Sequence, residues 1–198
     1  AHSQAVKPWC ELILRQHIPL AVAGDWQGIS MLFPMEKLFE RYVEGWLRQQ
    51  LPSDATLKAQ AASHYLCRHG DGRMFRLEPD LLVMRGKQRW VLDTKWKRLD
   101  GADRENKYGL SQADFYQLFA YGQTYLQGCG QMVLIYPRWA RFQSHLLPFD
   151  FGGGLSLHVL PFDLENDVLL GADGTDLPML SATANRSRRN FVHNSVAN

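Results

Sequence analysis

Apolar positions along the chain follow two rhythms. In "MEKLFERYVEGWLRQQ", Met35 to Gln50, residues Leu38, Phe39, Tyr42, Trp46 and Leu47 recur at helical spacing. Pro34 before this run and Pro52 after it fit the start and the stop of a helix. A second helical pattern opens at Ser111 and runs to about Leu126, with Phe115, Leu118, Phe119, Gly122 and Leu126 as its core stripe. Ser111 followed by Asp114 resembles a capping box with Asp in place of the usual Glu. Shorter apolar runs predict strands at about Arg73–Met84 and Arg89–Lys97, then in "QMVLIYP" and "LSLHVLPF". Residues 56–69 are ambiguous, with extended structure favoured after Gln60. Residues 5–20 predict one helix or two short ones, anchored by Trp9, Leu12, Ile13 and Ile18. The chain's last stretch is rich in Gly, Asp, Ser and Asn and reads as a loosely ordered tail.

Helix, strands, helix, strands in that order predict an α/β fold with one central mixed sheet flanked by helices. The expected organisation is a helical lead-in over 1–34, a core over 35–163 and a tail over 164–198. A chain of 198 residues is long enough to bury a single core. Lys and Arg total 22 against 20 Asp and Glu, so bulk charge gives no sign of nucleic-acid binding and only local clusters bear on it. No apolar run approaches the ~20 residues of a membrane span, so no membrane partner is expected. Cys10, Cys67 and Cys129 are odd in number and scattered, which fits free thiols in a reducing, cytoplasmic setting. The N-terminus shows no secretory pattern. It also lacks an initiator Met and reads as a piece of a longer chain.

The most informative stretch is "PDLLVMRGKQRWVLDTKWK", Pro79 to Lys97. Glycine at the first central position of a turn on Gly86-Lys87 suits type II′. Facing position numbers then sum to 173, which sets Asp80 opposite Asp93 and Glu78 opposite Lys95. Facing Cβ atoms lie roughly 4.5–5.5 Å apart. Two carboxylates that close, among apolar neighbours, need a shared proton or a positive charge between them. Lys95 supplies part of that charge, and a divalent cation with a taste for hard oxygen ligands, Mg²⁺, would supply the rest. Such a site suits phosphodiester hydrolysis, with Lys95 orienting water or neutralising transition-state charge. The same residues would otherwise be surface ion pairs on an exposed hairpin.

Asp114, Gln117 and Tyr121 form a polar stripe beside the core stripe of the second helix. Glu40 lies at the border of the first helix's apolar arc. Either group fits a site edge or a solvated helix face. Lys97, Arg98, Arg104 and Lys107 flank the expected site and could hold DNA phosphates, although Asp100, Asp103 and Glu105 are interleaved with them. "HYLCRH" offers His64, Cys67 and His69, too few ligands for zinc. Arg186, Arg188 and Arg189 read as part of a soluble tail, with a DNA contact the lesser alternative. No GxSxG elbow and no GxxxxGK[ST] loop is present, so this chain itself is not expected to hydrolyse GTP.

Pro79-Asp80 followed by Asp93-Thr94-Lys95 resembles the PD-(D/E)xK nuclease signature, and Gln117 with Tyr121 resembles the QxxxY helix motif of its RecB-like branch. "LFERYV", "PDLLV", "VLDTKWKRL" and "DFYQLFAYG", in this order across about Met31 to Phe162, resemble the McrC subunit of the McrBC restriction systems that act on modified cytosine. The resemblance implies a restriction-endonuclease-like nuclease core over 35–163. By position it implies that Asp80, Asp93 and the Thr94 carbonyl ligate Mg²⁺, with Mn²⁺ a possible substitute. Lys95 would be the catalytic lysine and Glu40 the helical acidic residue. Gln117 and Tyr121 would orient Lys95 or the scissile phosphate. Lys97, Arg98 and Lys107 would contact DNA. It further implies a partner, an McrB-like AAA+ GTPase engaged through an N-terminal region that this sequence does not carry. The expected function is therefore a Mg²⁺-dependent DNA endonuclease domain. Its rivals are a RecB-type repair exonuclease and a silent scaffold that docks a partner.

Overall fold

The computed structural model describes residues 34–171 and 179–180. The expected lead-in helices, Cys10, most of the tail and its three arginines lie outside the described residues.

Helix α1, Met35–Gln50, spans the range its pattern predicts, with Pro34 at its N-cap. After it come β1 (Ala55–Ala59), β2 (His64–His69), β3 (Gly72–Leu77), β4 (Leu81–Arg85) and β5 (Gln88–Thr94). Helix α2, Gln112–Tyr125, is followed by β6 (Gly130–Pro137), β7 (Phe149–Asp150), β8 (Leu155–Asp163) and β9 (Val168–Leu169). The main sheet has the order β1-β4-β5-β6-β8-β7, with β9 also on β8. β5, β6 and β8 run parallel and the other neighbours antiparallel, so the sheet is mixed. β2 and β3 form a separate two-stranded ribbon.

Side chains alternate across a sheet, and here both faces are covered. Leu81, Val83, Leu92, Val133, Ile135 and Leu160 meet Phe39, Val43 and Leu47 of α1. Their neighbours Leu82, Val91, Met132, Leu134, Leu157 and Val159 meet Leu118, Tyr121 and Tyr125 of α2. That double burial explains why the strands read as continuous apolar runs.

The β4–β5 hairpin has the register set by Gly86-Lys87: Leu81 pairs with Leu92 and Arg85 with Gln88. Gly86 has φ +59°, as a type II′ turn requires at that position. Four expectations are corrected. The single strand over Arg73–Met84 is two strands in different sheets, broken at Glu78–Asp80, where Pro79 has no N–H to donate. The following strand ends at Thr94, so Glu78 and Lys95 are not a ladder pair. Ser111 is the N-cap of α2, but its side chain makes no capping hydrogen bond. Phe119 is not core: it is 41% exposed, and Tyr125, 1% exposed, takes the buried position. The expectation of extended structure after Gln60 holds for β2, while β1 precedes it.

Candidate functional site

Asp80 lies one step beyond the last β4–β5 ladder pair, where the chain leaves the ribbon and enters the main sheet. Its backbone is held by Gln60, whose N–H donates to the Asp80 carbonyl at 2.7 Å. Its side chain is held from β5: Thr94 donates both its backbone N–H (2.8 Å) and its Oγ1 hydroxyl (2.9 Å) to Asp80 Oδ2. Asp93 precedes Thr94 on β5 and is 1% exposed. Lys95 follows, with its Nζ 2.5 Å from Asp93 Oδ2. That contact is a close ion pair between the ammonium and a buried carboxylate. Strand β5 positions all three groups because its neighbour β6 continues past its end: Lys95 N–H still donates to the Ile135 carbonyl.

Burial, and then the charge of Asp80, pushes the Asp93 carboxyl up to about 7, against the pull of Lys95. Asp80 is also raised, by burial first and by the charge of Glu40, although the Thr94 hydrogen bonds work the other way. For Lys95, burial works downward, but the Asp93 carboxylate beside it prevails and the ammonium is held more firmly than usual. The set is thus short of positive charge: two crowded carboxylates share one lysine.

Glu40 is buried on α1 and within electrostatic reach of Asp80. Its oxygens are taken by Lys37 Nζ at 2.7 Å and Gln60 Nε2 at 3.3 Å. On α2, Gln117 Nε2 donates to the Tyr121 hydroxyl at 2.8 Å, and that hydroxyl donates to the Glu78 carbonyl at 3.0 Å. Neither side chain is hydrogen-bonded to Lys95 among the described residues. Instead they clamp the backbone just before Pro79-Asp80. Tyr121 is buried, not part of a wet stripe. Asp114 accepts from the buried Tyr136 hydroxyl at 3.5 Å and adds its charge to those acting on Asp93 and Lys95. Thr94, expected to act through its carbonyl, is seen to act through its N–H and hydroxyl on Asp80.

The expected DNA contacts lie on the loop after β5. Lys97 is exposed and donates to the Gly109 carbonyl at 2.6 Å. Arg98 is exposed and stacks 5.4 Å from the Trp139 ring. Lys107 is exposed in a 3₁₀ turn, Lys107–Gly109, with φ +56°. Sequence reasoning missed Thr94's side-chain role, Tyr136 and the Gln60 contacts. A Thr between Asp and Lys was a usable signal, because a β-branched hydroxyl there can reach the neighbouring strand. Gln60 carried no signal.

Among the described residues, no group of three or more His, Cys, Asp or Glu side chains is arranged to hold a metal ion. The Asp80–Asp93 pair still fits a divalent cation in its chemistry: hard oxygen donors, both raised in pKa by burial and neighbouring acid charge, with one lysine beside them.

An α/β domain whose mixed sheet presents a buried Asp, a partly buried Asp and a lysine at a strand end is the class this geometry defines. The chain belongs to the McrBC 5-methylcytosine restriction system component family, whose model matches residues 1–137. The family expected from the ordered motifs is the family found. Among solved structures, the chain is similar to one from the assembly of Thermococcus gammatolerans McrB AAA+ hexamers with bound McrC, at 19% identity and a TM-score of 0.49. That match covers 80% of this chain and 33% of the other, so this chain spans about a third of its length. No curated protein matches.

Proposed function

We propose that this chain is the Mg²⁺-dependent DNA endonuclease part of a modification-dependent restriction complex, with a restriction-endonuclease-like core and an McrB-like GTPase as partner. The observation that carries the reading is Asp93, 1% exposed, paired with Lys95 and raised to about 7 by burial and by Asp80. Keeping such a charge cluster inside a core is costly unless the charges are used. Family membership supports the restriction role.

Asp80, Asp93 and the Thr94 carbonyl would hold the cation. When bound, the ion would polarise a phosphate oxygen and lower the pKa of a bound water. Thr94 fixes the Asp80 carboxylate through two hydrogen bonds, so that side chain does not have to be ordered when substrate arrives. Lys95 places a partly exposed ammonium beside the pair, suited to orient water or to offset charge that develops on the phosphate. Gln117 and Tyr121 act one layer out, holding the Glu78 carbonyl and with it the turn into Asp80. Lys97, Arg98 and Lys107, exposed beyond β5, would hold phosphates without reading bases.

Topology of the DNA product separates this reading from a repair exonuclease. With Mg²⁺, an McrB-like GTPase and GTP, closed circular methylated plasmid is expected to be cut. Degradation restricted to linear DNA with free ends would reject the endonuclease reading.

A further inference from the structure

The β2–β3 ribbon lies outside the main sheet, and nearly every residue on it is exposed. Its composition is unusual for an isolated ribbon. Arg68, Arg73 and Arg76 stand against the single acid Asp71 at the tip, with Tyr65, Leu66, Met74 and Phe75 also exposed. Arg68 and Arg73 face each other directly across the two strands. Like charges in facing positions oppose pairing, and a bound polyanion reverses that sign. Arg73 lies 5.9 Å from the Tyr65 ring, and Arg76 is 4.0 Å from Glu78. Among the described residues neither Arg68 nor Arg73 has an acidic partner within ion-pair distance. Phe75 is 69% exposed at φ +57°, so an aromatic is displayed at a cost in backbone strain.

The base of the ribbon is fixed. The Tyr125 hydroxyl is within hydrogen-bond reach of the Ala61 and Leu77 carbonyls, one at either foot. His64 packs on the Tyr125 ring at 4.5 Å, and Tyr121 holds the Glu78 carbonyl. The second strand ends at Leu77 and leads directly into Pro79-Asp80. A basic, aromatic ribbon is therefore rigidly joined to the acid pair.

We propose that the β2–β3 ribbon is a duplex-DNA contact element, seated in a groove with Arg68, Arg73 and Arg76 on the phosphates beside the bond presented to Asp80 and Asp93. The inference rests on the nuclease reading above and adds the surface that holds the substrate. The major groove admits a two-stranded β-ribbon. Charge complementarity selects DNA over a protein partner, because Arg68 and Arg73 have no acidic partner within ion-pair distance among the described residues.

The test is fluorescence anisotropy of a short labelled duplex with the 198-residue chain, in EDTA so that nothing is cut, across a salt series. The Arg68→Gln/Arg73→Gln variant is expected to bind about tenfold more weakly, with a slope of log K against log salt smaller by about 2. Its melting temperature should be unchanged or raised, since the facing charges are gone. Arg68→Gln alone, expected to lower the slope by about 1, keeps the test decisive if the double variant does not fold. Unchanged affinity and slope would overturn the proposal, as would a defect confined to single-stranded DNA or failure of the wild type to bind duplex. The two readings fail separately. Asp93-dependent nicking with an unchanged slope removes the ribbon alone. A reduced slope without Asp93-dependent nicking removes the nuclease reading alone.

Discussion

Asp93 concentrates the electrostatic cost of this fold. Its carboxyl is raised to about 7, so the folded protein keeps a proton that the unfolded chain releases in the ordinary carboxylate range. The folded state then binds more protons, and stability falls with rising pH. The contribution is complete below the unfolded value and is lost as pH passes through about 7. Metal-free protein is therefore expected to melt at a lower temperature at about pH 8 than at about pH 5, with Asp93→Asn flattening the trend. At the higher pH this substitution should stabilise the metal-free fold by about 1 kcal/mol, the upper end for facing pairs, and weaken Mn²⁺ binding measured by calorimetry. A variant that is less stable at that pH and binds Mn²⁺ as before would show that the two acids share no cation.

Lys95 makes a different demand. Arginine keeps the charge but replaces a compact ammonium by a planar fork that does not fit the space beside Asp93. Lys95→Arg is expected to lose most cleavage while binding metal normally. Near wild-type cutting by this variant would show that only the charge matters.

Among the elements, α2 carries the tightest constraint. A Cβ added at Gly122 would meet Leu155 Cδ2 and Met132 Sδ, each at 2.8 Å. Both are ends of flexible side chains, but they lie in a filled core, so Gly122→Ala is expected to destabilise by about 1–3 kcal/mol in a denaturant melt. Tyr121→Phe leaves the Glu78 carbonyl and the Gln117 amide without their partner, at about 1 kcal/mol. Its larger effect is expected on cleavage, because the turn into Asp80 loses its clamp. Unchanged cleavage by Tyr121→Phe would show that Pro79 and the sheet alone fix that turn.

The elements also show what the sequence made legible. Helix α1 and the β4–β5 register followed from local rules, because spacing and one glycine turn determine them. The break at Glu78–Asp80 was missed because the apolar residues on either side were read as one strand, although Glu, Pro and Asp are all poor strand formers. Phe119 was expected in the core and Tyr125 went unnoticed because hydrophobicity alone does not say which aromatic has a buried carbonyl to satisfy. Tyr125 has two within reach at the foot of the ribbon, and Phe119 has no polar end to use. Within the site, Asp80, Asp93 and Lys95 were recognisable from spacing. The Thr94 and Tyr121 contacts cross between elements; the Thr between Asp93 and Lys95 hinted at the first, and no local pattern encodes the second.

For the whole molecule, one candidate acid pair and a net charge of +2 point to dependence on partners. A single centre of this kind cuts one strand, and a double-strand break takes a second copy or a second visit. Intrinsic DNA affinity is expected in the non-specific range, roughly 10⁻⁴–10⁻⁶ M, and strongly salt-dependent. A GTPase partner that delivers DNA would raise its effective concentration at the site. In isolation the chain is expected to nick slowly and without preference for methylated DNA. Rapid double-strand cutting that favours methylated plasmid would place recognition in this chain instead.

Nicking of supercoiled plasmid by the purified chain, wild type against Asp93→Asn, with Mg²⁺ and with EDTA, tests the proposed cleavage centre most directly. The account predicts slow nicking by the wild type that stops in EDTA and is absent in the variant. Nicking by Asp93→Asn at the wild-type rate, or nicking that persists in EDTA, would contradict it.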